Sequence, residues 1–178
     1  MKKTMFAAAL ALSFGALAHA ADGKYQVGLG LFDSIPTSDF GDYFKSSLGF
    51  NVSGDYKISD MFSAGVEIGD ALGYKWKEDT NNKYMILTYG VRGKIVKSMD
   101  FGSKKGDVYG IVGISNYSLT TSPDVGGETK IGYSFGAGAQ MEIAPQWLVG
   151  LEVRYHLLKV HEVDLNTIAP ALTVGYSF

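Results

Sequence analysis

The stretch Leu172-Thr173-Val174-Gly175-Tyr176-Ser177-Phe178 alternates strictly between two kinds of residue. Successive side chains of a β-strand point to opposite faces, so the two kinds would lie on opposite sides of one strand: Leu172, Val174, Tyr176 and Phe178 against Thr173, Gly175 and Ser177. An apolar strand left at an open sheet edge would invite pairing with other chains. A barrel removes that edge by pairing its last strand with its first. The stretch therefore predicts a closed barrel.

The same alternation recurs in eight segments of roughly ten residues, separated by turn-rich stretches, which is the pattern of membrane-spanning β-barrels. We predict an all-β fold, an eight-stranded antiparallel up-and-down transmembrane β-barrel. The predicted strands are 24–32, 47–58, 62–70, 84–96, 107–117, 131–143, 147–158 and 168–178. The faces of the fifth strand stay open, because both of its alternating sets of residues are apolar.

The links between the predicted strands alternate in length. Long polar links are predicted at 33–46, 71–83, 118–130 and 159–167, and short ones at 59–61 and 144–146. Membrane barrels place long loops on one side and short turns on the other. The link from Lys97 to Gly106 departs from this rule, since it is long and basic where a tight turn is expected. We still place it on the side of the short turns.

Apart from the fifth, each predicted strand has an apolar row and a polar row of residues, one on each face. The composition of the polar rows decides which face points outward. A soluble barrel would turn these rows to water, and a membrane barrel would turn them to its lumen. They are rich in glycine: Gly28, Gly30, Gly49, Gly65, Gly69, Gly90, Gly132, Gly136, Gly138, Gly150 and Gly175. Glycine weakens a water-facing strand, whereas inside a narrow barrel it makes room for larger neighbours. We therefore expect the apolar rows to contact lipid.

Aromatic residues are expected at the two rims of such a barrel, where a ring can meet lipid on one side and water on the other. The predicted lower rim carries Tyr56, Phe62, Trp147, Tyr176 and Phe178, and the upper rim carries Phe32, Tyr84, Tyr117 and Tyr133.

The first 20 residues have the features of a secretory signal peptide. Lys2 and Lys3 are followed by an apolar stretch from Met5 to Leu17 and by the small-residue box Ala18-His19-Ala20. We expect cleavage after Ala20, which leaves residues 21–178 as one barrel domain. The 14 basic residues that then remain face 18 acidic ones, a net charge of −4. This balance argues against a nucleic-acid partner, which requires a basic face.

An eight-stranded barrel is about wide enough for its own side chains. The polar rows carry charges of both signs: Asp55, Glu67, Arg92, Lys94, Glu142, Glu152, Arg154 and, less clearly, Lys57. Buried charges are tolerable only when they are paired. We therefore expect an interior ion-pair network with Glu67, Arg92, Glu152 and Arg154 nearest its centre. It would either fill the lumen or act as a gate whose pairs rearrange to pass ions.

The sequence offers no set of catalytic residues. The only histidines after the predicted cleavage site are His156 and His161. Nucleophilic catalysis needs a nucleophile, a base and an orienting acid together. His161, Glu162 and Asp164 are weak evidence for a cation site. We expect no enzymatic activity, no cofactor and no metal.

The chain from 21 to 178 resembles the small outer-membrane β-barrel family of Gram-negative bacteria, which includes the OmpA membrane domain and the OmpX- and OmpW-type proteins. The strand rows and the tract from Gly132 to Tyr155 carry this resemblance. The last strand also resembles the C-terminal signal that the barrel-assembly machinery recognises, filled here by Thr173, Gly175, Tyr176 and Phe178.

The resemblance implies a location in the cell outer membrane, with lipid and the assembly machinery as partners. The first functional hypothesis is a structural or surface-interaction barrel with a side-chain-plugged lumen. Its extracellular partner would bind loop residues Asp39 to Phe44, Trp76 to Asn82 and Ser118 to Glu128. The second is a porin-like narrow channel or a carrier of small hydrophobic solutes, as the OmpW-type proteins imply. The third is a lipid-modifying enzyme, which lacks a catalytic set here. The ligand, the oligomeric state and whether the lumen conducts stay open.

Overall fold

The structure is a computed structural model that describes residues 23–78, 83–122, 125–161 and 163–178. The predicted signal peptide, residues 1–20, lies outside the described residues. Eight long strands form the barrel: β1 (Tyr25–Pro36), β2 (Ser47–Lys57), β3 (Phe62–Lys75), β4 (Lys83–Phe101), β5 (Lys104–Ser122), β6 (Val125–Ala144), β7 (Trp147–Leu157) and β10 (Thr167–Ser177). A short helix, α1 (Ser38–Tyr43), and a small hairpin of β8 (Lys159–Val160) and β9 (Val163–Asp164) complete the described elements.

The eight long strands close on themselves in the order β1-β10-β7-β6-β5-β4-β3-β2. Each strand pairs antiparallel with both of its neighbours. The predicted eight-stranded antiparallel barrel is therefore confirmed. Within the described ranges, no helix is long and apolar enough to cross a membrane.

The first and last strands join at a continuous seam. Their register runs from Gln26 opposite Ser177 to Pro36 opposite Thr167. Beyond the ladder, the Tyr25 N–H donates to the Phe178 carbonyl at 3.1 Å, and the Phe178 N–H donates to the Tyr25 carbonyl at 2.9 Å. The rings of these two residues stack with their centroids 6.2 Å apart. We call this end of the barrel the terminal end and the opposite end the loop end.

The apolar rows point outward, as the glycine-rich polar rows indicated. Leu151 and Val91, for example, are 66% and 57% exposed. The structure also assigns the faces of the fifth strand: Val112 and Ile114 point outward, whereas Tyr109, Ile111 and Tyr117 are buried. Outward side chains in the middle of the wall are thus apolar on this strand as well.

The predicted upper aromatic rim is partly wrong. Tyr133 is exposed on the outer surface, but Tyr117 is buried inside the barrel. Phe32 and Tyr84 pack against the same interior cluster as Tyr117. These rings face the lumen because the barrel interior becomes apolar toward the loop end.

The long basic link between the fourth and fifth strands is not a loop. β4 and β5 continue as a paired ribbon to Phe101 opposite Lys104, so only Gly102 and Ser103 form the turn. Gly102 has a φ of +67°, which glycine adopts without strain. On its other side, β4 pairs with β3 only as far as Ile95.

Candidate functional site

The lumen is the candidate functional site, because the alternation of four strands directs charged side chains into it. Of the residues whose burial is described, six charged ones are buried, three acids and three bases: Asp55 on β2, Glu67 on β3, Arg92 and Lys94 on β4, and Glu152 and Arg154 on β7. Removing such groups from water is costly unless each has an opposite charge and hydrogen bonds. The structure gives each of the six a partner of opposite charge.

One half of this charge cluster centres on Asp55. Arg92 donates from Nε to Oδ1 at 2.8 Å and from Nη2 to Oδ2 at 2.5 Å, a two-bonded contact that matches the planar guanidinium to the carboxylate. Lys94 Nζ donates to the same Oδ2 at 2.8 Å. Asp55 on β2 therefore forms ion pairs with two bases of β4, although β3 lies between the two strands.

The other half centres on Arg154. Its Nη1 donates to Glu67 Oε1 and Oε2 at 2.7 and 2.6 Å, and its Nε donates to Glu152 Oε1 at 2.5 Å. Arg92 Nη1 also donates to Glu67 Oε2 at 3.3 Å, which joins the two halves. The structure thus brings together the four residues expected at the centre, Glu67, Arg92, Glu152 and Arg154.

Tyr109 is a member of this cluster that the sequence analysis did not identify. Its hydroxyl donates to Glu152 Oε2 at 2.9 Å, and its ring lies under Lys94, with Nζ 4.8 Å from the ring centroid. A Cβ at Gly138 would come within 2.5 Å of the Tyr109 ring, so glycine is needed there. The only sequence signal was the tyrosine's place on a strand with two apolar faces.

The other charges predicted to point inward lie nearer the terminal end. Lys57 is exposed and pairs with Asp60 at 3.1 Å. Glu142 lines a cavity of about 360 Å³ at the terminal end. This cavity reaches Asp55 and Lys94, so one side of the charge cluster borders it.

Two smaller cavities continue along the lumen beside Arg154. One of about 20 Å³ lies between Arg92, Glu152 and Arg154, and one of about 40 Å³ lies between Glu67, Arg154 and His156. Arg154 Nη2 is buried and has no hydrogen-bond partner among the described residues. A cavity of about 10–15 Å³ with polar walls can hold a water molecule, so both cavities are large enough for one.

An aromatic cap covers the lumen at the loop end. Phe40 of α1 is buried, and its ring centroid lies 4.9 Å from that of Tyr74 and 4.7 Å from that of Phe44. The Tyr74 hydroxyl, deep inside the barrel, donates to Ser34 Oγ at 2.5 Å. Below the cap, the Tyr117 hydroxyl and His156 Nδ1 are 2.8 Å apart. His156 therefore has a lumenal hydrogen-bond partner.

The loop residues that were predicted to bind an extracellular partner lie partly in the aromatic cap and partly on the surface. The predicted contact segment Asp39 to Phe44 lies mostly in α1, which buries Phe40 and leaves Tyr43 57% exposed. In the second predicted loop, residues 79–82 lie outside the described residues, as do 123–124 in the third. Glu162, one of the three residues considered for a cation site, also lies outside the described residues. No group of three His, Cys, Asp or Glu suited to a metal ion occurs among the residues that the structure describes.

Charged residues at the loop end tie the extension of β6 to the β8–β9 hairpin. Glu128 Oε1 pairs with Lys130 Nζ at 2.7 Å, and Glu128 Oε2 lies 3.7 Å from His161 Nδ1. The hydrogen bond from Lys130 lowers the pKa of the Glu128 carboxyl, which lies beyond the membrane-spanning part of β6. The Glu128 carboxyl is therefore ionised at neutral pH.

The chain matches the family model described as outer membrane protein beta-barrel domain over residues 4–178. It belongs to this family. The resemblance seen in the sequence and the outer-membrane location are confirmed. The outward apolar rows therefore lie in the lipid of the outer membrane, the loop end is extracellular, and the terminal end is periplasmic.

Several solved structures share the fold. Neisserial surface protein A has 17% sequence identity and a TM-score of 0.65, over 88% of this chain and 98% of that chain. OprG from Pseudomonas aeruginosa has 13% identity and a TM-score of 0.62, over 87% and 96%. Ail of Yersinia pestis, the attachment invasion locus protein, has 18% identity and a TM-score of 0.54, over 88% and 99%. These likenesses concern the fold alone. No curated protein matches the chain in sequence.

Proposed function

We propose that this protein is a structural and surface-interaction barrel of the outer membrane whose lumen is plugged by its own side chains. The observation that carries the proposal is the bond between Arg154 and Glu67. Their strands, β7 and β3, are four positions apart in either direction around the eight-strand order, so this ion pair crosses the full width of the lumen. An eight-stranded barrel leaves little room beside such a crossing.

The aromatic cap supports the same proposal from the extracellular end. Phe40, Phe44 and Tyr74 lie over the lumen: α1 carries Phe40, Phe44 follows the helix directly, and Tyr74 comes from β3. A solute would have to displace this cap before it reached the charged layer. The two layers therefore act in series as barriers.

The surface-interaction part of the proposal assigns the extracellular partner to the loop end. Exposed Tyr43 on α1 and exposed Val163 on the β8–β9 hairpin offer apolar contacts on a rigid scaffold. One structure of Ail was determined with the heparin analogue sucrose octasulfate. That ligand belongs to Ail, but it is an example of ligand binding by a barrel of this fold.

The export route is part of the proposal. Residues 1–20 act as a signal peptide, and 21–178 are the barrel domain. The barrel-assembly machinery recognises the last strand through Thr173, Gly175, Tyr176 and Phe178. The seam between Tyr25 and Phe178 supports this role, since the recognised strand is also the one that closes the barrel.

Planar-bilayer recording tests the plugged lumen. The protein is purified in detergent, its fold is verified by a heat-modifiable shift on a gel, and it is then inserted into a bilayer. We expect no discrete conductance steps from the folded wild type. Regular steps that scale with the amount of folded barrel would contradict the plug.

A narrow channel or a carrier of small hydrophobic solutes is the second candidate. The cavities of about 360, 20 and 40 Å³ follow one another from the periplasmic end past Arg154, which favours some hydration of the lumen. The apolar lining under the cap, with Ile86 and Tyr117, would suit a hydrophobic solute. In the same recordings, this candidate predicts conductance from the wild type, or uptake of a hydrophobic tracer into vesicles that contain it.

A further inference from the structure

The ribbon of residues 97–107 has no role in the proposed function. It comprises the end of β4, the turn Gly102-Ser103 and the start of β5. Short turns are the rule at the periplasmic end of outer-membrane barrels, and the turn between β2 and β3 follows that rule. The ribbon is therefore an addition to the barrel wall that requires its own explanation.

The ribbon has two chemically different faces. Its outward face carries Lys97, Met99, Phe101 and Lys104, and its inner face carries Ser98, Asp100, Lys105 and Asp107. The inner-face groups are close to one another, since Ser98 Oγ donates to Asp107 Oδ1 at 2.7 Å and Asp100 stands opposite Lys105. Phe101 lies over Gly106 on the outward face, where a Cβ on the glycine would come within 2.8 Å of the ring.

The outward face continues the lipid-facing surface of the barrel. On β4, the exposed Met99 lies on the same face as the exposed Ile95, four residues further along, with Lys97 between them. On the other side, Gly106 pairs with Met141 of β6, and Lys104 Nζ donates to the carbonyl of Ile143 at 3.1 Å. Apolar side chains thus continue from the membrane wall onto the ribbon, with Lys97 between Ile95 and Met99 and Lys104 beside Phe101.

We propose that the outward face of the ribbon binds the headgroup region of anionic phospholipid in the periplasmic leaflet, with phosphatidylglycerol as the ligand. Met99 and Phe101 enter the boundary between acyl chains and headgroups, as aromatic residues do at membrane interfaces. Lys97 and Lys104 extend their aliphatic stems along this surface and place their ammonium groups at the lipid phosphates. Each such lysine strengthens binding to an anionic surface about fivefold.

The chemistry of the ribbon favours lipid over a protein partner. A protein strand could add to the edge of β4 beyond Ile95, where β3 no longer pairs with it. Such pairing uses backbone groups and does not require lysines and apolar side chains on one face. The separation of the faces is what a membrane surface requires, because only the outward side meets lipid.

A fluorescent label at the tip of the ribbon tests the proposal. The chain contains no cysteine, so Ser103→Cys gives a single site for an environment-sensitive dye on the full barrel. The labelled protein is placed in phosphatidylcholine vesicles with increasing phosphatidylglycerol, and the bromine quencher is carried by one lipid or the other. The two quenching curves give the preference of the ribbon for phosphatidylglycerol.

We expect the wild-type ribbon to prefer phosphatidylglycerol several-fold, and K97Q/K104Q to lower this preference to near one. K105Q is the matched control for a single substitution: like K97Q it removes one positive charge from the ribbon, but on the inner face, so the preference should stay. A heat-modifiable shift verifies that each variant is folded, and the single variant K97Q gives an intermediate value.

Two results would overturn the proposal. An equal loss in K105Q would mean that the overall charge, and not the outward face, attracts the lipid. A label that neither brominated lipid quenches, but that aqueous iodide does, would place the ribbon in the periplasm, where its free strand edge would suit a protein partner. Neither result depends on whether the lumen conducts.

Discussion

Arg154 and Glu67 are 87 residues apart in the chain, yet two hydrogen bonds of 2.7 and 2.6 Å join them across the centre of the barrel. Both side chains are only 4% exposed. Each of the two also contacts another charge of the lumen, Glu152 beside Arg154 and Arg92 beside Glu67. The pair therefore holds opposite walls of the barrel together through a charged layer rather than through apolar packing.

Arg154→Ala should lower the free energy of unfolding by about 3–5 kcal/mol, because it leaves Glu67 and Glu152 as buried carboxylates with fewer partners. Urea unfolding from lipid vesicles measures the change. The double variant Arg154→Ala/Glu67→Gln should recover part of the loss, since it also removes one of the two stranded charges. Lys57→Ala, at an exposed pair with Asp60, is the control and should change stability by less than about 1 kcal/mol. A loss in Arg154→Ala no larger than in the control would mean that the ion pair across the lumen is not important for stability.

Gly138→Ala should destabilise the barrel by about 1–3 kcal/mol through overpacking. The new methyl group would lie within 2.5 Å of the Tyr109 ring and 2.8 Å of the Leu151 carbonyl, so the tyrosine would move away from Glu152. Gly110→Ala is a matched control on the neighbouring strand, because a Cβ there meets no atom within 4 Å. Unfolding in urea compares the two variants. Equal stability of the two would contradict the close packing of Tyr109 against Gly138.

Phe40→Ala should loosen the aromatic cap without unfolding the barrel. Its removal takes away a buried ring that contacts Tyr74 and Phe44, a change that costs about 3–5 kcal/mol in a packed core. We expect trypsin to cut after Lys45, next to α1, at least about tenfold faster than in the wild type, because local opening becomes easier. Tyr43→Ala, on the exposed side of the same helix, should be cut at the wild-type rate. Cleavage that Phe40→Ala leaves unchanged would show that Phe40 does not hold α1 over the lumen.

Phe178→Ala should reduce assembly in cells more than folding in detergent. The backbone bonds between Tyr25 and residue 178 survive the change, so the purified barrel should refold nearly as well as the wild type. Recognition of the last strand by the assembly machinery should suffer, and the heat-modifiable form in outer membranes should fall several-fold. Phe62→Ala, which changes an exposed aromatic residue at the terminal end but outside the seam, should leave assembly unchanged. Equal losses in cells and in detergent would assign Phe178 a role in stability alone.

The outward rows of the barrel could be predicted because lipid imposes one rule along every strand. Every second residue must be apolar at mid-membrane, so rows such as Leu29, Leu31 and Val91 were evident from spacing alone. The faces of the fifth strand could not be assigned from the sequence, and the reason is physical. Its inward residues Tyr109 and Ile111 are as apolar as its outward ones, because β5 contributes the ring and hydroxyl of Tyr109 to the charged cluster and no charged group of its own.

The charged layer could be predicted only in part. The alternation shows that Glu67 and Arg154 face the lumen, but the pairing depends on how strongly the strands tilt and shift past one another. That stagger is a property of the closed barrel and does not appear in any one segment. The cap by α1 was not predicted, because a six-residue helix in a long link has too little periodicity to detect. Phe32 and Tyr84 were assigned to the rim because they lie near strand ends, although the alternation along their strands puts both on the lumenal face.

The distribution of the six lumenal charges along the chain bears on how the barrel enters the bilayer. β2 to β4 contribute Asp55, Glu67, Arg92 and Lys94, two acids and two bases, and β7 contributes Glu152 and Arg154, one of each. The buried lumenal charges therefore balance within each of these two groups of strands. Moving a net charge into hydrocarbon is costly, so we expect β2 and β3, which carry only acids of this layer, to enter the bilayer together with β4, which carries the bases that neutralise them.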